Sequence, residues 1–234
     1  MDVSDIALRW SPAERTELLT PAGVLVVLAL TAVAVGWMPA WRVLRLGVTL
    51  VHELGHAVVG VLGGRRFTGF VLRSDMSGHA VTVGRPDGPA MVATTWSGYP
   101  APALVGALLV VAGARGWAAP VLTVLLAALV VALLYVRSAL TGAVVVATVA
   151  ATGALWWWRD DRVQQHVVVG VGVLLLVGAL RHVGAVLGSR DPRSDAAALA
   201  RLTGVPPVLW LASFVLALGL ASWLAAAELL GAWS

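Results

Sequence analysis

The chain has 234 residues, of which 59% are hydrophobic and 12% are charged. Because a soluble domain is about one quarter charged, this composition excludes an ordinary soluble protein and indicates a membrane protein. The 16 basic residues are all arginines dispersed between apolar runs, a pattern that predicts contact with the lipid bilayer and no nucleic-acid partner. Cysteine is absent, so a metal site needs imidazole and carboxylate ligands.

Apolar runs of about twenty residues follow a polar amino-terminal tail at 1–20, and each is long enough to cross the bilayer core. They predict an all-α polytopic membrane protein with six to seven transmembrane helices, forming a single integral membrane domain over 1–234. The runs lie at 21–38, 43–63, 91–113, 118–136, 139–158, 166–187 and 207–232.

The second run contains the sequence His52-Glu53-Leu54-Gly55-His56. Histidines four residues apart lie on one helical face, so both imidazoles can bind one metal ion. Zinc with two histidines and one carboxylate keeps a position for water, and Glu53 can accept that water's proton. Ionisable groups are costly to insert into a membrane and are usually functional there. The motif predicts a zinc metallopeptidase site with His52 and His56 as ligands and Glu53 as catalytic base.

The connection after this run predicts a small membrane-associated β-hairpin. Residues 67–72 alternate and are rich in β-formers, 75–78 are typical of a turn, and 80–83 resume β character. We predict that an edge strand of this hairpin holds an unwound substrate segment, with Phe70 and Val71 as substrate-binding residues.

Near its start, the third run contains Gly98-Tyr99-Pro100-Ala101-Pro102, which predicts a kink because proline removes backbone donors. The kink would open room beside the metal, where Tyr99 is a candidate substrate-binding residue. The stretch 43–113 thus combines the motif helix, the hairpin and a kinked helix.

A polar segment at 188–204 separates the last two runs. In it, Ser194 is a predicted N-cap of a short helix from Asp195 to Leu202. If this segment folds back between the spans, the Asp195 carboxylate can be the third metal ligand. Asp191 in the same segment and Asp87 in an earlier Pro-Gly loop remain alternatives.

Most arginines fall in the amino-terminal tail and in the connections after the second, fourth and sixth runs. Cytoplasmic loops of membrane proteins carry an excess of arginine and lysine. We therefore predict a cytoplasmic amino terminus, with the hairpin and the segment 188–204 on the same face.

Five sequence features together resemble the site-2-protease family of intramembrane zinc metallopeptidases, in particular the compact many-span bacterial form typical of actinobacteria. The resemblance runs from about residue 50 to residue 210. The features are the His-Glu motif inside an apolar run, the Gly63-Gly64-Arg65-Arg66 exit, the 74–78 turn, Gly98-Tyr99, and the stretch from Ser194-Asp195-Ala196 to Pro206.

The resemblance implies an endopeptidase of the bacterial cytoplasmic membrane that cleaves membrane-embedded or membrane-proximal segments of protein substrates, often to release a regulator. It also implies His52 and His56 as ligands, Glu53 as base and a later aspartate as third ligand. One departure concerns that aspartate. Better-known members place it in an Asp-Gly pair within a later span, whereas the only such pair here is Asp87-Gly88, so Asp195 rests on the Ser-Asp-Ala segment.

Two other classes of function compete with the protease. A membrane scaffold or regulator derived from a protease is expected to lose Glu53 or a histidine, and all three residues are present. An ion or proton transporter is expected to show an internal repeat or a second polar half-helix, and the sequence contains neither.

Overall fold

The computed structural model describes residues 9–13, 19–75, 77–188 and 191–231. Met76 in the predicted turn and most of the tail at 1–20 lie outside the described residues. Where the chain is described, it is mostly helical, with one small antiparallel sheet. Its elements are α1 Pro21–Gly36, α2 Met38–Leu62, β1 Arg66–Leu72, β2 Gly78–Val83, α3 Pro89–Ser97, α4 Pro100–Ala114, α5 Ala118–Leu133, α6 Ala139–Trp157, α7 Asp161–Leu187, α8 Asp195–Thr203 and α9 Pro207–Leu230.

Four helices, α2, α6, α7 and α9, are long and apolar enough to cross a membrane. The pair α3 and α4 is bent by 62° and makes a fifth candidate if it counts as one broken span. Helices α1 and α5 are apolar but have 16 residues each, or about 24 Å of helix, which is less than the bilayer core. The predicted count of six to seven spans is not confirmed, because the helices in the runs 21–38 and 118–136 are too short to count as candidate spans.

The bend between α3 and α4 confirms the predicted kink, and α8 confirms the predicted short helix. The Ser194 side chain accepts a hydrogen bond from the Ala197 backbone N–H at 3.3 Å, as an N-cap does. At the other end of α8, Gly204 has φ +74°, a left-handed conformation that favours glycine and stops the helix.

Small residues allow α4 and α7 to pack closely in antiparallel directions. A Cβ atom on Gly106 would lie 2.6 Å from the Gly172 carbonyl oxygen, and a Cβ on Gly172 would lie equally close to the Gly106 carbonyl oxygen. Phe214 of α9 is buried in the same core cluster. This packing holds α8, which lies between α7 and α9 in sequence, against the bundle.

The hairpin is confirmed, and the connection after α5 covers the outer edge of β1. The Phe70 backbone N–H donates to the Tyr135 carbonyl at 3.0 Å, and the Arg137 N–H donates to the Phe70 carbonyl at 3.2 Å. Leu72 N–H donates to the Thr141 hydroxyl at 2.7 Å. In an antiparallel pair, the backbone N–H and carbonyl groups of two opposed residues point either towards each other or away from each other. Because Phe70 is opposite Ala80, the Ala80 N–H and carbonyl point to the free edge of β2.

The amino-terminal segment lies at the end of the bundle opposite the hairpin. The Ala13 N–H donates to the Gly116 carbonyl at 2.8 Å, between α4 and α5, and the Arg9 guanidinium donates to the Trp156 carbonyl at the end of α6. The hairpin, by contrast, pairs with residues that follow α5. The prediction that the amino-terminal tail shares a face with the hairpin and 188–204 is therefore wrong for the described residues 9–13.

The physical reason is the path of α2. Trp41, near its start, packs under Arg181 in the last third of α7, with the guanidinium 4.4 Å from the ring centroid. Gly78 of the hairpin that follows α2 packs against Glu53. The end of α7 lines the same cavity as the hairpin, so the start of α2 lies at the hairpin end of the bundle, although the apolar run predicts one crossing.

Candidate metal centre

The two histidines of α2 face a third side chain, Asp195 at the first turn of α8. The Nε2 atoms of His52 and His56 are 3.2 Å apart. Asp195 Oδ2 lies 3.3 Å from the first and 3.4 Å from the second. Within the described part of the chain, these three residues form the group that could hold a metal ion.

A backbone carbonyl fixes the orientation of His56. Its Nδ1 lies 2.6 Å from the Thr94 carbonyl oxygen in α3 and donates a hydrogen bond to it. The neutral imidazole then carries its proton on Nδ1, and the Nε2 lone pair points to the other two ligand atoms. Ser97 Oγ donates to the same carbonyl at 2.8 Å, which fixes the last turn of α3 beside the site.

Asp195 is held as a carboxylate. Burial alone would raise the pKa of this carboxyl, but the nearby His52 and His56 imidazoles outweigh burial and hold the pKa well below its usual range. The Asp195 Oδ2 atom is buried without a well-formed hydrogen bond from any described residue. A divalent cation fits this site, because two imidazole nitrogens and a carboxylate oxygen face one point and that oxygen has no well-formed hydrogen-bond donor among the described residues.

Gly98 at the α3–α4 bend makes room for the imidazoles. A Cβ atom there would lie 2.7 Å from His52 Nε2 and would overlap the His56 ring as well. The bend also brings Tyr99 against His52, with the ring centroids 4.9 Å apart at 88°.

Glu53 is 5% exposed and packs against the backbone of the hairpin. A Cβ on Gly78 would lie 2.9 Å from the Glu53 Cδ atom, so only glycine leaves space for the carboxylate. Glu53 and the three possible ligands line one cavity of about 860 Å³. Its walls come from α2, β2, α3, α7, the segment before α8 and α8 itself.

The other candidate ligands have different surroundings. Asp191 lines the cavity, but its Oδ1 accepts a hydrogen bond from the Arg193 N–H at 2.8 Å. Asp87 Oδ1 lies 3.4 Å from Arg85 Nε in an exposed pair. Of the three aspartates considered from the sequence, the structure places Asp195 with the histidines.

The predicted substrate-binding residues divide into two groups. Tyr99 lines the cavity. Phe70 is fully buried among residues of the hairpin, α5 and α6, and neither it nor Val71 lines the cavity. Contact of Phe70 and Val71 with substrate stays a prediction. In the structure both residues lie in β1, the strand that supports β2.

Sequence reasoning missed several residues that shape the site. Gly78 matters through the space that it leaves for Glu53, which a residue pattern does not reveal. Arg45 and His182 also line the cavity, and Arg45 Nε donates to His182 Nε2 at 3.4 Å. The signal for Arg45 was its spacing of seven residues from His52, which puts both on one helical face.

A family model described as Peptidase M50B-like matches residues 24–225. The chain belongs to that family. The Peptidase M50B-like family is the site-2-protease family of metallopeptidases, so the resemblance to that family is confirmed, whereas the actinobacterial-type form stays a prediction. No curated protein and no solved structure matches the chain. Membership in a metallopeptidase family agrees with the donor set of the site, because His52, His56 and Asp195 could hold a metal ion.

Proposed function

We propose that this protein is an intramembrane zinc endopeptidase that cleaves membrane-embedded or membrane-proximal segments of other proteins. One observation carries the proposal: two imidazole nitrogens and one carboxylate oxygen lie 3.2–3.4 Å apart in a cavity that also contains Glu53. A transporter needs no such set beside a general base, and an idle scaffold has no reason to keep all four groups in place.

Zinc is the metal that these donors favour. Zinc binds histidine nitrogen at about 2.0–2.1 Å and carboxylate oxygen at about 2.0–2.2 Å with tetrahedral geometry. Those bond lengths give about 3.3–3.5 Å between neighbouring ligand atoms, which agrees with the three distances observed. His52, His56 and Asp195 would hold the ion, and three protein ligands are typical of catalytic zinc sites.

Zinc bound there would supply Lewis acidity that activates a water and polarises the substrate carbonyl. Glu53 acts as general base: its carboxylate accepts a proton from the attacking water and donates it to the leaving amine nitrogen. The water oxygen adds to the carbonyl carbon and the C–N bond breaks. The packing of Glu53 against Gly78 keeps the carboxylate in one position during these proton transfers.

The substrate segment must be extended, because a helix shields its own carbonyls. The free edge of β2 supports a site for such a segment. Ala80 N–H and carbonyl point to that edge, and Ala80 lines the cavity with Gly78 and Thr82. We propose that an unwound segment adds to β2 as a strand and brings a peptide bond to the metal.

For orientation, we propose that the cavity opens towards the cytoplasm of a bacterial cell. Arginines of the hairpin connection and of the segment around α8, such as Arg73, Arg193 and Arg201, line the cavity. An excess of arginine marks the cytoplasmic face. Residues 9–13 then lie at the outer face, which revises the predicted cytoplasmic amino terminus.

The experiment is purification of wild type, Glu53→Gln and Asp195→Ala, followed by reconstitution in liposomes with fluorescent single-span peptides that carry helix-breaking residues in one half. We expect bound zinc in wild type and Glu53→Gln, strongly reduced zinc in Asp195→Ala, and peptide cleavage in wild type alone. Zinc-loaded wild type that cleaves no peptide in the series, or Glu53→Gln that cleaves as wild type does, would refute the protease.

A further inference from the structure

A polar stripe on α2 extends the cavity beyond the metal centre, away from the hairpin. Arg45, Thr49, His52 and His56 are spaced by four, three and four residues, so they lie on one face of the helix, and all four line the cavity. The hairpin lies alongside the other half of α2, where Gly78 packs against Glu53. From α7, His182 completes this second part of the cavity.

Arg45 brings an uncompensated positive charge into this region. It is half-buried, and no carboxylate of the residues that the structure describes lies within ion-pair distance of it. Arg181, by comparison, packs on Trp41 and donates to the Val35 carbonyl at 2.9 Å. A partly buried cation without a counter-charge is costly in an apolar bundle and usually has a function.

The contact with His182 sets the orientation of the Arg45 guanidinium. Arg45 Nε donates to His182 Nε2 at 3.4 Å, and neither terminal nitrogen donates to a described residue. The Nη1 and Nη2 atoms thus remain available as a planar pair of donors. This is the edge with which arginine binds a carboxylate through two parallel hydrogen bonds.

We propose that Arg45, positioned by His182, binds an acidic side chain of the substrate. This inference rests on the proposed protease function and adds a sequence preference to it. Arg45 precedes His52 by seven residues, or about 10 Å along the helix axis. An extended peptide covers that distance in about three residues. The acidic residue therefore lies about three residues from the scissile bond, on the side of that bond that does not pair with β2.

The experiment uses a series of synthetic peptides that share one cleavable sequence, with a single Asp or its Asn equivalent placed at successive positions on either side. The kcat/KM ratio of each Asp peptide to its Asn partner is measured for wild type, Arg45→Gln and Arg42→Gln in zwitterionic liposomes. Arg42 is the matched control, because it is exposed on the same helix and does not line the cavity. Binding of the same peptides to Glu53→Gln, with and without Arg45→Gln, is measured by fluorescence anisotropy.

In wild type and Arg42→Gln we expect a ratio of about ten or more at one position near the third residue, the size expected for a hydrogen-bonded charge pair. Arg45→Gln should lower the ratio to about one without changing zinc content. Equal loss for Asp and Asn peptides, or the same loss in Arg42→Gln, would overturn the proposal. The measurement is repeated in liposomes that contain an anionic lipid, and an effect of Arg45→Gln that depends on lipid charge instead of peptide charge would also overturn the proposal.

The two proposals fail in different ways. If no peptide is cleaved, the protease function fails, and the anisotropy ratio still decides whether Arg45 selects a carboxylate. If peptides are cleaved and bound without regard to acidic residues, the anion site fails and the protease stands.

Discussion

Gly98→Ala should cost the protein its metal while leaving the rest of the fold in place. Gly98 has φ −57° and ψ −58°, which alanine adopts readily, so the substitution introduces no backbone strain. The added Cβ, however, would lie 2.7 Å from His52 Nε2 and overlap His56. Carbon and nitrogen in contact need about 3.5 Å, so the rings or the α3–α4 bend must move by at least about 0.8 Å.

That shift is large for a metal site, in which ligand distances hold within about 0.2 Å. Changes to residues that only orient a ligand cost about 10–100-fold in metal affinity. Displacement of the imidazoles themselves should therefore weaken zinc binding at least 100-fold, or about 2.7 kcal/mol. Without metal the rings can rotate away, and the thermal midpoint of the metal-free protein should change little.

The assay is competition for zinc against a chelator of known affinity, with thermal unfolding of the metal-free protein measured in parallel. Gly47→Ala is the matched control, because Gly47 lies in α2 and its Cβ would meet nothing within 4 Å. It should keep wild-type zinc affinity. Wild-type zinc affinity in Gly98→Ala would refute the close approach of the α3–α4 bend to both histidines.

Three further predictions test other parts of the site. Ala80→Pro removes an N–H at the free edge of β2 without breaking the β1–β2 ladder, so cleavage should fall about tenfold or more with zinc retained. His79→Pro, which does break the ladder, should also destabilise the hairpin. Equal zinc loss in both variants would contradict the assignment of the Ala80 N–H to the free edge. Zinc affinity should fall as pH is lowered, because protons compete for the two imidazoles. A zinc affinity that does not change between pH 8 and pH 5 would exclude histidine ligands. Since the chain has no cysteine, Pro12→Cys and Arg193→Cys can be labelled with an impermeant maleimide in intact cells, and only the first should react from outside.

The local parts of the site could be predicted from sequence because they follow from short-range rules. A four-residue spacing fixes the two histidines on one helical face, and proline and glycine mark the bend at Gly98. Ser194 marks the start of α8 for the same kind of reason, since its side chain caps the nearby backbone.

The sequence reduces the third ligand to a few candidate aspartates but does not choose among them, because the position of that ligand depends on packing. Whether Asp191 or Asp195 reaches the histidines depends on how α8 docks, and Leu199, buried in the core cluster, settles that docking through long-range contacts. Similarly, the pattern of 67–83 indicates two strands but not which edge is free. The pairing of Phe70 with Tyr135 and Arg137, more than sixty residues away in sequence, decides that question.

The error in the predicted topology connects the path of α2 to the chemistry. The positive-inside rule counts charges between crossings, so one helix that returns to its own side reverses the assignment of every earlier segment. A helix that returns has both ends near one aqueous phase, which suits α2: Arg45, His52 and His56 line a single cavity shared with the hairpin and α8. On the proposed function, the same path lets water, metal and an extended peptide reach the histidines from one side.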